Sequence, residues 1–378
     1  MERDFDVVVA GAGPAGASCA RRAAELGLRV LLVERGRFPR PKRCAAGLSA
    51  RALAHLGPDA ARVVHREFRT VEFVVGERTT LVWTGAERVL ATTTRRELDA
   101  LMAGAAESAG AALEQGTPVS AVETGADSVA VTAGGRTRRA GYLVAADGAR
   151  GALRGRCGAG AVRMSSAVYV RAYPPPGGAG ALEGGRITFD LTGTRRGYGW
   201  VFPKRDQLNV GVYTQRPMSR DIVADLRAFL DARGLSSWRH EGPLAFPVPA
   251  GPRRAPVAAG RVLFVGDAAG FADPVTGEGI SHAIASGRLA AEAIAGALAA
   301  GTTAERAYAA RAAAEVRPEV VLLGPLGNAF YSIGSGAADR VVAAAPVRAA
   351  LLRLGPWARM GTATGRLSVE KTSRRRAQ

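Results

Sequence analysis

Phe5-Asp6-Val7-Val8-Val9-Ala10-Gly11-Ala12-Gly13-Pro14-Ala15-Gly16 opens a stretch that closes, after an apolar segment ending near Gly27, on Arg29-Val30-Leu31-Leu32-Val33-Glu34. The Val-rich run before Gly11 is short and apolar throughout, as a strand buried on both faces of a parallel sheet requires. The glycines break it, a helix follows, and a second buried strand ends in a carboxylate roughly 20 residues downstream. Each residue type has a physical task. Gly11 permits the tight turn, Gly13 lets backbone approach a pyrophosphate, Gly16 lets the helix pack on the strand, and the helix N-terminus offers its free N–H groups to the anion. Pro14 and Ala15 fill the first helical turn. Glu34 is placed to accept hydrogen bonds from ribose hydroxyls. The segment alone leaves FAD and NAD open.

Two further segments repeat the theme. Tyr142 to Ala146 is a short strand that runs into Ala145-Ala146-Asp147-Gly148-Ala149-Arg150-Gly151. Arg261 to Val265 is another, followed by Gly266-Asp267-Ala268-Ala269, then Asp273-Pro274-Val275-Thr276-Gly277-Glu278-Gly279-Ile280 and a long helix. Thr94-Arg95-Arg96-Glu97-Leu98-Asp99 opens a helical run between the first two segments.

Together these segments resemble the p-hydroxybenzoate hydroxylase type of FAD-binding protein, and the resemblance covers most of the chain. It implies that Asp267 contacts the ribityl and pyrophosphate part of FAD. The helix starting after Gly277, Gly279 and Ile280 is implied to point its positive N-terminus at the flavin ring, where reduced flavin carries negative charge. Arg95 matches the Arg-x-x-aromatic-Asp position near the cofactor, with Leu98 in place of the aromatic. The same resemblance brings Arg35, Asp147, Gly148 and Gly266 to the cofactor.

Between the second and third segments, Ala167 to Tyr173, Arg186 to Leu191 and Leu208 to Tyr213 alternate as antiparallel strands do, and Pro174 to Gly178 reads as a loop. Within them Gly197-Tyr198-Gly199-Trp200-Val201-Phe202-Pro203-Lys204 precedes Asn209-Val210-Gly211-Val212. This is similar to the signature of geranylgeranyl reductases, which reduce isolated double bonds of isoprenoid chains. Tyr198, Trp200 and Phe202 share one face of a strand by period and form an apolar, substrate-binding wall suited to a long hydrocarbon. A second pointer is Lys42-Arg43-Cys44-Ala45-Ala46-Gly47-Leu48, expected at the start of a helical run. It resembles the Cys-Gly-rich segment that family keeps beside the flavin, with Ala45 and Ala46 where glycines are usual, and it implies cofactor contacts from Arg43, Cys44 and Ala45. Cys44 is then the candidate proton source, Tyr198 a second choice, and Trp200 a third residue at the reacting bond.

The remaining composition bounds the alternatives. The chain has 378 residues, 47% hydrophobic and 22% charged, which is globular. A net charge of +18 invites nucleic acid, yet the charge is almost all arginine and scattered, the lysines being Lys42, Lys204 and Lys371. No nucleic-acid partner is expected. Arg374 to Arg376 read as a disordered tail able to touch an anionic lipid surface. Val7 to Ala17 lacks a signal-peptide cleavage pattern, and the Ala-rich run Ile284 to Ala300 is interrupted by Arg288 and Glu292. Three separated cysteines, Cys19, Cys44 and Cys157, fit neither a disulfide framework nor a zinc site, which favours a reducing, cytoplasmic compartment; the basic tail is what allows peripheral membrane contact. Four histidines offer no Ser-His-Asp grouping, and no ligand spacing suggests a metal.

The expected fold is therefore α/β. A Rossmann-like FAD-binding domain is assembled from residues 1–65, 92–160 and 255–300, and an inserted antiparallel-sheet substrate domain from 66–91 and 161–254. A C-terminal helical region spans 301–378, with helices at Ala304 to Val316 and Ala337 to Leu354. The leading expectation is an FAD-dependent alkene reductase fed by NADPH or a protein electron donor and acting on a prenyl or similar apolar substrate. A monooxygenase or halogenase of the same fold is the rival, although halogenases carry Gly-Trp-x-Trp-x-Ile-Pro where this chain has Tyr198 and Phe202. A flavoprotein that only carries electrons is the third reading.

Overall fold

Val7, Val8 and Val9 are fully buried because the strand Phe5–Ala10 lies inside a parallel sheet, flanked by Arg136–Ala145 on one side and Val30–Glu34 on the other. The computed structural model describes residues 3–76, 79–178, 180–183, 186–250, 256–316 and 365–371. Within these, the chain divides into two compact units. One holds the residues up to Lys42, Arg95–Met164 and those from Val248 to Val316; the other holds Arg43–Thr94, Ser165–Pro247 and the strand Gly365–Lys371.

In the first unit the parallel strands run in the order Val262–Phe264, Arg136–Ala145, Phe5–Ala10, Val30–Glu34, Ala112–Gln115. The first half of Arg136–Ala145 also pairs antiparallel with Val129–Ala133, which pairs with Val119–Thr124. Helices Pro14–Glu25, Arg95–Ser108 and Ile280–Ala300 pack together. The first begins with Pro14, whose missing N–H costs nothing in the first turn. Helix Ile280–Ala300 is long and apolar enough to cross a membrane by length and composition, its two charged residues notwithstanding. Here it is a core helix: a Cβ on Gly287 would lie 2.1 Å from the Ala15 carbonyl oxygen, so the two helices cross in backbone contact, and Glu292 pairs with Arg22 and Arg311.

Helix Ala304–Glu315 was expected in a separate C-terminal region, but it completes this unit: Tyr308 donates to the Phe264 carbonyl at 2.6 Å, and the Ala304 N–H donates to the Tyr142 hydroxyl at 3.1 Å. Residues 43–65, expected with the cofactor unit, belong to the second one. The expected helix Ala337–Leu354, the breaks at Gly324-Pro325 and Gly334, the side chains Leu322, Leu326, Phe330 and Tyr331, and the Arg-rich tail lie outside the described residues.

The second unit is built on an eight-stranded sheet in the order Arg239–Pro249, Met164–Tyr173, Leu208–Thr214, Gly197–Pro203, Ile187–Asp190, Thr70–Val74, Thr79–Gly85, Gly365–Lys371. Every pairing whose register is defined is antiparallel except Ile187–Asp190 with Thr70–Val74, a parallel neighbour drawn from a distant part of the chain. The edge strand Gly365–Lys371 corrects the all-helical C-terminal expectation. Its Leu-Ser-Val-Glu alternation has the period of two that a strand demands. One face of the sheet carries Val168, Val170, Val210 and Val212 against Ile222, Leu226, Phe229 and Leu230 of helix Asp221–Ala232. Each such side chain contributes roughly 1.5–3 kcal/mol by burial. The opposite face carries the aromatic residues.

Candidate functional site

The turn after the first strand is built from backbone that tolerates no side chain. Gly11 adopts φ of +105°, and a Cβ there would lie 2.4 Å from the Ala146 carbonyl oxygen; a Cβ on Gly16 would lie 1.8 Å from the Gly11 carbonyl oxygen. Gly13 differs. Its absent Cβ would meet only the Arg95 guanidinium, at 3.5 Å, so it borders a cradle with a cation on one side. No side chain caps the helix that starts at Pro14, and its N-terminal dipole favours an anion in that cradle.

Behind the turn lies a buried charge network. Glu34 accepts from the Ala12 N–H at 2.9 Å, the Gly36 N–H at 3.0 Å and Arg40 at 2.9 Å. Arg40 reaches on to Asp99 at 3.1 Å, and Asp99, fully buried, takes both arms of Arg95 at 2.7 and 3.0 Å. Burial would raise the Glu34 pKa, but the Arg40 charge and the two amide donors outweigh it and hold the carboxyl below its ordinary range. The buried Arg40 Nε makes no hydrogen bond among the described residues, leaving a donor beside Glu34 of the kind a ribose hydroxyl accepts.

The other two segments approach the same unit. Gly266, at φ of +56°, donates its N–H to the Ser286 hydroxyl at 3.0 Å, and a Cβ there would press on Ala15 and Ala283. Asp267 follows in the turn Gly266–Ala269 and faces Gly279, the residue preceding helix Ile280–Ala300: a Gly279 Cβ would sit 3.5 Å from the Asp267 carboxylate. Between them Asp273 is buried and folds back to accept the Val275 and Thr276 N–H groups at 2.7 and 2.9 Å, and burial pushes its pKa up. Gly277, at φ of +68°, donates to the Asp273 carbonyl. Asp147 turns inward: one carboxylate oxygen accepts the Leu153 N–H at 3.0 Å, in space that only a glycine at 151 leaves open. Its other oxygen is buried without a partner among the described residues, and burial raises its pKa. Gly148 takes φ of +79° near Lys42, and Arg35 is exposed but close enough to Asp147 to lower its pKa in part. This cradle, with the uncapped N-terminus of helix Pro14–Glu25 and buried polar atoms left over, fits a dinucleotide such as FAD. Gly13, Arg95, Arg40, Glu34, Asp267 and Gly279 would hold it.

Arg43, Cys44 and Ala45 fall in the second unit. No helix starts at Cys44: the strand Gly47–Ser49 intervenes, and the helix begins at Ala50, capped by the Ser49 hydroxyl. The loop is tied down by polar bonds instead. Lys204, buried, donates to the carbonyls of Ala45, at 2.9 Å, and of Thr93. Arg43 donates to the Ala245 carbonyl at 3.0 Å, and the Ala46 N–H donates to the Cys44 sulfur at 3.3 Å. Ala46 takes φ of +53°, the conformation in which a glycine is unstrained. Next to it, Gly47 gives way to a ring: a Cβ there would lie 2.8 Å from Phe202.

Phe202 belongs to the aromatic face predicted from alternation. Tyr198, Trp200 and Phe202 stand side by side on the strand Gly197–Pro203, with ring centroids 6.1 and 6.3 Å apart, and Phe189 meets both Tyr198 and Phe202 at 5.4 Å. Trp200 lies across Gly211, whose Cβ would be 2.3 Å from the indole, and donates its Nε1–H to Asn209 at 2.7 Å. Gly211→Ala is therefore expected to destabilise the protein by about 1–3 kcal/mol through overpacking. Gly193→Ala, where nothing lies within 4 Å, stays within about 0.5 kcal/mol of wild type. Denaturant midpoints of the two variants measure the contrast.

Residues 4–172 match the FAD binding domain family model. The chain is 33% identical to a menaquinone reductase of Mycolicibacterium smegmatis, over 77% of this chain and 76% of that one. It is also 33% identical to digeranylgeranylglycerophospholipid reductase 1 of Methanopyrus kandleri, over 76% and 80%. The chain belongs to the geranylgeranyl reductase family of FAD-dependent oxidoreductases. Its fold matches that of a geranylgeranyl bacteriochlorophyll reductase-like protein from Thermoplasma acidophilum with a TM-score of 0.80 at 22% identity, over 94% of this chain and 98% of that one. A halogenase crystallised with phloroglucinol and FAD shares the fold at a TM-score of 0.71 and 15% identity, over 95% and 85%.

Within this reductase several site residues escaped the motif reading. Arg40 follows a cis Phe38-Pro39 bond in a loop with no pattern to mark it. Asp99 was legible as the acidic residue of the Arg-x-x-aromatic-Asp match, but not as the shared partner of Arg40. Lys204 carried a signal in being one of three lysines, placed directly after the aromatic strand. Cys19 is fully buried in the first helix with its thiol pushed up to about 12, an inert packing residue.

Proposed function

We propose that this reductase saturates carbon-carbon double bonds of an isoprenoid chain, one hydride and one proton per bond. The observation that carries the reading is the contact of the aromatic face with the Cys44 loop. Phe202 packs on Gly47, and Lys204, two residues beyond Phe202, holds Ala45, so residues some 150 positions apart in sequence form one surface. An apolar wall binds a hydrocarbon by burial, and a thiol next to it supplies the proton a non-activated alkene needs. When bound, reduced FAD supplies the hydride. Relatives named for a quinone and a glycerophospholipid support a lipid substrate, and a lipid substrate favours work at a membrane surface. NADPH or a protein donor provides the electrons; bleaching of the oxidised flavin by NADPH alone distinguishes them.

The test is an anaerobic single turnover of dithionite-reduced holoenzyme with a geranylgeranylated compound. Flavin reoxidation with a gain of two hydrogens per bond is expected, slowed at least about tenfold in Cys44→Ala, since a positioned acid contributes roughly 10²–10⁴-fold. Reoxidation that waits for oxygen and gives an oxygenated or halogenated product would replace the reading with that of the monooxygenase.

A further inference from the structure

Lys204 is 2% exposed and sits where the aromatic strand Gly197–Pro203 ends. Its backbone N–H donates to the Gln207 carbonyl at 2.8 Å, closing the turn, and beside it the Thr92 hydroxyl donates to the Pro203 carbonyl at 2.7 Å. From this fixed base the ammonium donates to the Ala45 carbonyl at 2.9 Å and to that of Thr93. The Ala45 carbonyl and the Ala46 N–H belong to one peptide group. That group is trans, so its C=O and N–H point in opposite directions within one plane. With the oxygen held by Lys204, the N–H is aimed the other way, and there it donates to the Cys44 sulfur at 3.3 Å. The Ala46 carbonyl is pinned as well, by the Thr93 N–H at 3.1 Å. Ala46 is thus held at both of its peptide groups in a conformation, φ of +53°, that a residue with a Cβ adopts only at a cost.

Resting on the alkene-reduction reading above, we propose that Lys204 is a positioning residue for the proton transfer: through the Ala45-Ala46 peptide it keeps an amide N–H on the Cys44 sulfur. The hydride from reduced FAD forms one C–H bond; the S–H bond of Cys44 breaks, its proton forms the other, and the electron pair stays on sulfur. A donor already aimed at that atom stabilises the charge without reorganisation, and an ammonium on the carbonyl of the same amide polarises it further. The thiolate then regains a proton from water. Because the donor acts while the S–H bond is breaking, its loss slows the first turnover and not only later ones.

The first readout needs no turnover. Alkylation by iodoacetamide consumes the thiolate, so its rate at one fixed pH reports the donor on the sulfur. It is followed in the oxidised holoenzyme by mass of the peptide Cys44–Arg51. In Lys204→Met the rate is expected to fall at least about threefold, as loss of one hydrogen bond allows. Adding Ala46→Gly removes the cost of positive φ, lets the peptide keep its orientation unaided, and brings the rate back to within about twofold of wild type. The second readout is the anaerobic single turnover, in which Lys204→Met slows flavin reoxidation at least about tenfold while the half-saturating substrate concentration stays within about twofold of wild type. In a Cys44→Ala background the same change costs less than about twofold more, because both act on one proton. Should Lys204→Met fail to fold, Lys204→Gln, a neutral donor on a shorter arm, takes its place with the same signs. A rate within about twofold of wild type in either readout, a loss that Ala46→Gly does not relieve, or an undiminished loss in the Cys44→Ala background overturns the proposal. If wild type reduces no prenyl compound but the alkylation contrast and its rescue are present, the alkene reading falls and the link from Lys204 through the peptide to Cys44 stands.

Discussion

Asp99→Ala is expected to destabilise the FAD-binding unit by about 3–5 kcal/mol, the cost of removing one partner from a buried ion network. Asp99 is fully buried, and two guanidiniums, of Arg95 and Arg40, converge on it with side chains 11% and 16% exposed. Without the carboxylate both cations stay in a weakly solvated site with only Glu34 to balance them. Arg95 would also lose the bidentate contact that holds it beside Gly13, so FAD affinity should fall together with the denaturant midpoint. Asp99→Asn keeps the shape but not the charge and should lie between wild type and Asp99→Ala. The same network sets an acid limit. The Glu34 pKa is lowered in the folded protein from 4.5, so its stabilising contribution is present above that ordinary value and is lost as pH falls through the depressed one. Release of FAD fluorescence on acidification should therefore begin below the normal Glu range, and Arg40→Met should move its onset to higher pH. An Asp99→Ala protein with wild-type stability and FAD affinity would show that Arg95 and Arg40 find other partners.

The nucleotide segments were legible because their constraints are local. A strand buried on both faces must be apolar throughout, and a turn where a Cβ would lie 2.4 Å from a neighbouring carbonyl oxygen must be glycine, so Val7 to Val9, Gly11 and Gly16 announce themselves. The alternation of Tyr198, Trp200 and Phe202 was legible for the same reason, since a strand fixes which neighbours share a face. What sequence could not give was which distant residue completes each local device. Arg40 is an ordinary charged residue until folding buries it between Glu34 and Asp99. Cys44 was expected at a helix start because prolines precede it and a helical run follows; the short strand Gly47–Ser49 is set by pairing with Leu90–Thr92, a partner outside the local window. The C-terminal strand was missed despite its period, because the alanine-rich stretch upstream of it suggested helix throughout.

Two glycine-to-alanine changes in the FAD-binding unit should move stability in opposite directions. A methyl on Gly16 would lie 1.8 Å from the Gly11 carbonyl oxygen and 3.0 Å from the Ala146 Cβ. The first contact is backbone, so no side-chain rotation relieves it, and the helix Pro14–Glu25 must retreat from the strand that carries the turn. The cost lies at or above the upper end of the roughly 1–3 kcal/mol typical of overpacking. At about 3 kcal/mol, taken wholly from the binding-competent conformation, FAD affinity drops about a hundredfold. Gly104, in the middle of helix Arg95–Ser108, has nothing within 4 Å of its absent Cβ. Alanine there removes a flexible residue from a helix and should stabilise by roughly 0.5–1 kcal/mol without touching FAD affinity. Titrating FAD into the flavin-free variants and unfolding each in denaturant measures both effects. Wild-type affinity in Gly16→Ala would mean that the helix does not need to approach the strand this closely, and the pyrophosphate cradle assigned to Gly11, Gly13 and Gly16 would have to be moved.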